Sequence, residues 1–360
     1  MRDQAQRLSH WLRTQAEWEP ADVGCSLAPE AARWRYRAAV VGRTGQELIG
    51  GLEALGQGIP ATSVISAHAV DDGGPVFLFP GQGSQWVGMG LELLDTSPVF
   101  RDRMMECASA LSPHVQWSLL EVLRAGPDDP VWGRADVVQP VLFAYTVSLC
   151  EVWRSFGVKP SAVIGQSLGE IVGACVIGAL SLEDAARHVV LWGQAQAAIP
   201  RQGEMASISM AADELARRLA PWGGRLEIAA VNGPHWCSAS GDADAVQELL
   251  EELSAEGINA RRIDVNVAAH SPHVDSIRER LRNDLISIRA ESAAVPFYSS
   301  VTGELMDTGA LDAEYWVTNL RRPVLLEKAV RAALRDGHRM FLEISPHPVL
   351  TGAVQETVDG

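Results

Sequence analysis

Ser167 sits in Gly165-Gln166-Ser167-Leu168-Gly169, after an apolar run and before a helix-like segment. A serine on so tight a strand-to-helix bend can act as a nucleophile only if the residues two places either side leave room, and both are glycine. A helix beginning near Gly169 points its N–H groups and positive dipole end at the bend, which favours negative charge on a substrate oxygen there. Leu168 N–H, next after the serine, is the natural first oxyanion donor. The pattern alone also fits a plain Gly/Ser turn.

A serine needs a base, and Gln166 cannot titrate. Of the nine histidines, His270 stands out. It follows the strand-like "ARRIDVNV" and is crowded by the small residues Ala268, Ala269 and Ser271, so its backbone can approach another surface closely. His273 falls on the segment that follows. A surface histidine at a strand end is the competing reading. A third piece is "FPGQGSQW" (79–86), a strand ending in Pro-Gly-Gln-Gly that brings N–H groups to the carboxyl edge of a sheet, where α/β sites form. No Lys follows these glycines, so a phosphate loop is disfavoured.

The elements that must position these groups read as follows. Residues 4–15 have helical spacing, 33–42 alternate like a strand, 44–58 read as a helix capped by Thr44, and 59–74 lose periodicity. Strands at 75–79 and 161–165 are each followed by helices, among them 169–178 and 181–199. From 204 to 267 the order is β-α-β-β-α-β, the ferredoxin-like signature. Beyond it lie a helix at 271–288, the strands "VPFYSS" and "MFLEIS", and a last short helix. The expected fold is α/β. A hydrolase-like parallel-sheet large subdomain (75–203 and 268–360) carries an inserted ferredoxin-like small subdomain (204–267), and a small α/β linker domain (1–74) precedes both.

Composition narrows the function. The 360 residues carry a net charge of −15 without a Lys/Arg cluster, which argues against nucleic acid and anionic membranes as partners. The five cysteines form no C-x-x-C pair, so free thiols in a reducing, cytoplasmic setting and no metal site are expected. The N-terminus has no apolar signal core. No run of about 18 apolar residues occurs, so no membrane span is expected.

Together "FPGQGSQW", "GQSLGE", "VNGPHWCSASG", "AAHS", "YWVTNLRRPV" and "EISPHPVL" resemble the acyltransferase domains of modular polyketide synthases and the related malonyl-CoA:acyl carrier protein transacylases, over essentially the whole chain. Residues 1–74 resemble the linker that follows a ketosynthase. The resemblance implies Ser167 as acyl-accepting nucleophile and His270 as its base. It implies an oxyanion hole from the Gln82 and Leu168 amides, and a backbone carbonyl at Asn319 that fixes the histidine tautomer. Gln139 joins the residues facing the substrate. No cofactor is held tightly; acyl-CoA is the implied donor and the phosphopantetheinyl arm of an acyl carrier protein the acceptor, with an adjacent ketosynthase as neighbour.

Two departures from the family pattern bear on the substrate. Gln166 stands where the family has His, and is expected to adjust the pocket by hydrogen bonding. Trp192 stands where members that take malonyl or methylmalonyl groups carry an Arg that grips the free carboxylate through a two-pronged ion pair. A dry, unpaired carboxylate against an indole would cost several kcal/mol, on the order of a thousandfold in discrimination. Arg187, His188 and Arg201 are the candidate substitutes for the missing cation. The same exchange occurs in loading-module acyltransferases, which accept acyl groups without a carboxylate, and the small Val267 and Ala269 also resemble theirs. Trp192 is therefore expected to line an apolar acyl pocket. The alternatives are an extender-type transferase, an editing hydrolase and a degenerate docking domain.

Overall fold

The computed structural model describes residues 1–30, 34–68, 73–200, 203–265 and 267–360. The chain forms two compact units, Met1–Asp71 and Asp72–Gly360.

In the first unit, helices α1 (Arg2–Thr14), α2 (Pro20–Glu30) and α3 (Gly45–Gln57) accompany strands β1 (Tyr36–Val40) and β2 (Val64–His68), which pair antiparallel. Thr44 caps α3 through a reciprocal capping box with Glu47, and Gly58 ends it in the left-handed region; both follow from local sequence. Strand β2 lies in the stretch that reads as aperiodic. "VISAH" does not alternate, and it is a strand because β1 pairs with it. Helix α2, "PADVGCSLAPE", carries no apolar stripe to announce it.

The second unit is built on a five-stranded sheet. Strands β3 (Val76–Phe79), β4 (Ala162–Gly165), β9 (Phe297–Ser299) and β11 (Phe341–Glu343) run parallel, and β10 (Glu304–Met306) closes one edge antiparallel; the order is β10-β9-β4-β3-β11. Every residue of β3 and β4 is buried, as continuous apolar strands in a covered parallel sheet should be. Helices α4 (Leu91–Thr96), α5 (Pro98–Leu111), α6 (Leu119–Leu123), α7 (Ala135–Ser155), α8 (Leu168–Val176) and α9 (Leu182–Ala197) lie between the sheet strands β3 and β4 or follow β4. Helix α7 is long and apolar enough to cross a membrane, but 78% of its most apolar window is buried inside the protein. It is a core helix.

The inserted layer contains β5 (Gly203–Ile208), α10 (Ala212–Leu219), β6 (Leu226–Gly233), β7 (Trp236–Asp242), α11 (Ala243–Ala255) and β8 (Ala260–Ile263). Its four strands are antiparallel in the order β6-β7-β5-β8, the ferredoxin-like arrangement. The chain then returns through a 3₁₀ turn at Pro272–Ile277 and α12 (Arg278–Leu285), where one continuous helix is expected from sequence. Helices α13 (Ala313–Arg321), α14 (Leu326–Arg335) and α15 (Thr351–Asp359) complete the unit.

Candidate active site

Strand β4 ends at Gly165 and α8 begins at Leu168, so Ser167 is the bend itself. Its backbone is at φ 55°, ψ −116°, where a Cβ is strained. The two glycines permit the approach that closes the bend. A Cβ on Gly165 would lie 2.2 Å from Glu170 N, and one on Gly169 would lie 1.9 Å from Phe79 O.

His270 is the other non-glycine residue with positive φ, 58°, among those described. Its N–H donates to Leu320 O at 2.8 Å. Its Nδ1 lies 2.8 Å from Arg322 O, and its Nε2 lies 3.0 Å from Ser167 Oγ. A carbonyl can only accept, so the ring proton sits on Nδ1 and the Nε2 lone pair faces the serine hydroxyl. Burial pushes the imidazole down to about 4, against the opposing pull of the Arg322 and Asn319 backbones. The ring is therefore neutral at pH 7, as a general base must be.

The tautomer-fixing carbonyl belongs to Arg322, where the expectation places it at Asn319. Helix α13 ends at Arg321, and Arg322 is extended (φ −89°, ψ 157°), which turns its carbonyl out of the helix direction. The Asn319 backbone acts on the ring as the lesser contribution. Its side chain is engaged elsewhere, donating to Glu170 Oε2 at 2.5 Å.

Glu170, the last residue of "GQSLGE", has no role assigned to it from the sequence and is fully buried. It accepts from Ser300 N (2.6 Å), Ser300 Oγ (3.0 Å), Tyr315 Oη (2.7 Å) and Asn319. Burial pushes its carboxyl up to about 7, against these hydrogen bonds. It stands one turn after Ser167 on α8 and binds α13, whose end holds His270, so one carboxylate ties the two halves of the dyad. The available signal was a lone acid in the otherwise apolar "LGEIVGACV".

Gln82 and Leu168 both line the cavity at Ser167. Flanking amides are occupied: Gly81 N–H donates to Gln166 Oε1 (3.3 Å) and Gly83 N–H to Gln85 Oε1 (2.8 Å). The N–H groups of Gln82 and Leu168 have no partner among the described residues, which leaves both for a developing oxyanion. Gln166 also donates to Asn232 Oδ1 on β6 at 2.6 Å. It thereby joins the oxyanion loop to the ferredoxin-like layer.

The cavity holds about 80 Å³ and lies between the sheet edge and that layer. Gln139, Gln196, Met205, Ile263, Val267 and Ala269 are among its walls. Trp192 is not, contrary to expectation. It is 1% exposed, within the main hydrophobic core, one turn behind Gln196 on α9. His188 is fully buried beside it, with ring centroids 5.9 Å apart. Burial pushes His188 down to about 3, so it supplies no cation at neutral pH. Arg187 does not line the cavity, and Arg201 lies outside the described residues. Among the described residues, no Lys or Arg side chain lines the cavity.

A strained serine on its bend, an imidazole with its lone pair aimed at the hydroxyl, and two free amides are the parts an acyl transfer needs. The family model described as "Acyl transferase domain" matches residues 76–360. The chain belongs to the acyl transferase domain family. It is an acyltransferase of the kind found in modular polyketide synthases. Over 99% of its length it superposes on the acyltransferase domain from module 8 of the salinomycin polyketide synthase, with a TM-score of 0.93, 48% identity and 85% of that chain covered. It is 49% identical to a loading acyltransferase from the avermectin modular polyketide synthase, with a TM-score of 0.77 over 79% of this chain and 91% of that one. Polyketide synthase GfsB of Streptomyces halstedii is 48% identical over all of this chain, which spans 7% of that protein. Spectinabilin polyketide synthase system protein NorA of Streptomyces orinoci is 50% identical, and the chain spans 19% of it.

Proposed function

We propose that this acyltransferase domain serves a polyketide synthase by moving a short acyl group without a free carboxylate from acyl-CoA, through an ester on Ser167, to the phosphopantetheine thiol of an acyl carrier protein. His270 Nε2 takes the Ser167 proton as Oγ attacks the thioester carbonyl. The Gln82 and Leu168 amides hold the tetrahedral oxyanion. As that collapses, the carbon–sulfur bond breaks and His270 returns the proton to the CoA thiolate. The carrier thiol then attacks the acyl-serine, His270 takes its proton, and Ser167 leaves reprotonated.

The observation that carries the acyl preference is the lack of a cationic side chain among the described residues lining the cavity, with Trp192 in the place of the family's Arg. A carboxylate there would be desolvated without a partner. Similarity does not separate the two substrate classes, because the module 8 and the loading domains are equally close in sequence. The partners follow the same reading: an acyl carrier protein and a neighbouring ketosynthase in a longer cytoplasmic polypeptide.

The test is intact-mass analysis after incubation with acetyl-, propionyl-, isobutyryl-, malonyl- and methylmalonyl-CoA. Acylation of Ser167 by the uncharged donors, well ahead of the malonyl pair, is expected. Preferential malonyl or methylmalonyl loading would make this an extender-type transferase. Free acid released faster than carrier is acylated would make it a hydrolase.

A further inference from the structure

We infer that Gln196, locked against Gln139, is the wall that limits how far the acyl group reaches, and that Trp192 is the filler behind it. The inference rests on the acyl-transfer reading above. Gln139 and Gln196 both line the cavity at Ser167, whereas Trp192 does not. They are 3% and 2% exposed.

Their amides bond reciprocally. Gln139 Nε2 donates to Gln196 Oε1 at 3.2 Å, and Gln196 Nε2 donates to Gln139 Oε1 at 3.0 Å. Gln196 Nε2 also reaches Trp192 O at 3.4 Å, which draws the side chain over the turn that precedes it. Gln139 Nε2 further donates to Gln82 Oε1 at 3.2 Å, so the wall continues into the oxyanion loop. A glutamine tied at both ends is stiff. Swinging it aside for a longer acyl chain strands buried amide groups without partners. An acyl chain growing away from Ser167 thus meets this amide pair before any indole. Gln196 is the residue to vary, because altering Gln139 would also disturb the Gln82 loop.

The experiment measures initial rates of Ser167 acylation for straight-chain donors from acetyl-CoA to octanoyl-CoA. It compares the wild type with Gln196→Ala, Gln196→Asn, Gln196→Met and Trp192→Ala. Gln196→Ala is expected to move the optimum to longer chains, with a relative gain of about tenfold per added methylene over the first one or two. Gln196→Asn, which keeps the amide but shortens its stem, is expected to give a smaller shift in the same direction; it carries the test if the Ala variant fails to fold. Gln196→Met fills a similar volume but cannot bond Gln139, so it is expected to give a shift to longer chains that is smaller than the Ala variant's. An unchanged order in both the Ala and Asn variants overturns the inference, as does a shift to longer chains in Trp192→Ala alone. If the wild type loads only malonyl-type donors, the starter reading has failed by itself. The same variants run on malonyl-, methylmalonyl-, ethylmalonyl- and butylmalonyl-CoA then decide the wall separately.

Discussion

Ser167 Oγ lies 3.0 Å from His270 Nε2, and these two are the only non-glycine residues with positive φ among those described. The chain is bent against its preference at both ends of one hydrogen bond. Each such residue costs on the order of 1–3 kcal/mol, sustained by the packing around it. Ser167→Ala keeps the Cβ and hence the strain, whereas Ser167→Gly releases it. Both variants should lose acylation by intact mass. The Gly variant should equal or exceed the wild type in calorimetric melting temperature, and its unfolding free energy should exceed the Ala variant's by about 1 kcal/mol. A Gly variant less stable than the Ala variant would contradict a strained bend.

Burial pushes the His270 imidazole down to about 4. The proposed base is therefore unprotonated through the ordinary working range. The kcat/KM for acyl transfer should be flat from about pH 8 to pH 5 and fall only below that, as the ring gains a proton. A limb with a midpoint near pH 6.5, the ordinary histidine value, would show that water reaches the ring.

Glu170 is raised from 4.5 to about 7 by burial. The folded state thus holds a proton that the unfolded state gives up. The stabilising contribution is complete below pH 4.5 and is lost as pH rises through about 7, on the order of 3 kcal/mol in all. His270 and His188, lowered to about 4 and about 3, act in the opposite sense: their contributions are present above pH 6.5 and lost as pH falls through those values. Glu170→Gln removes only the first effect. Urea unfolding should show the Gln variant gaining on the wild type between pH 5 and pH 8. A constant difference across that range would mean that the carboxyl is ionised throughout.

Two glycines on one helix separate the site from the scaffold. A Cβ at Gly169 would meet Phe79 O at 1.9 Å, whereas at Gly173 it would make ordinary contacts at 3.5 Å and beyond. Gly169→Ala should reopen the bend and abolish acylation. Gly173→Ala should stay active and gain up to about 1 kcal/mol, from helix propensity. Melting temperature and acyl-enzyme yield report on both.

Trp192→Arg places a guanidinium in the core behind Gln196. Without a carboxylate partner it should destabilise the fold by about 3 kcal/mol or more. The guanidinium reaches the acyl pocket only once the wall in front of it is opened, so in the double variant with Gln196→Ala malonyl loading relative to propionyl should rise at least about tenfold over Gln196→Ala alone, a difference of about 1.4 kcal/mol. An unchanged ratio would remove the charge argument for the acyl preference.

Much of this protein is written locally. The Gly-x-Ser-x-Gly bend, the Thr44 capping box, the buried strands β3 and β4, and the β-α-β-β-α-β run each depend on residues within a turn or an element of one another. Backbone sterics and hydrophobic period therefore reveal them in the sequence. Strand β2 was hidden because its only cause is its partner strand. The tertiary structure alone decided which carbonyl orients His270, where Glu170 finds its four hydrogen bonds, and that Gln196 stands in front of Trp192. These are contacts between segments remote in sequence, set by where α13 ends and how α7 meets α9. A shift of one helical turn exchanges Asn319 for Arg322, or Trp192 for Gln196, and only the packing of whole elements selects between such turns.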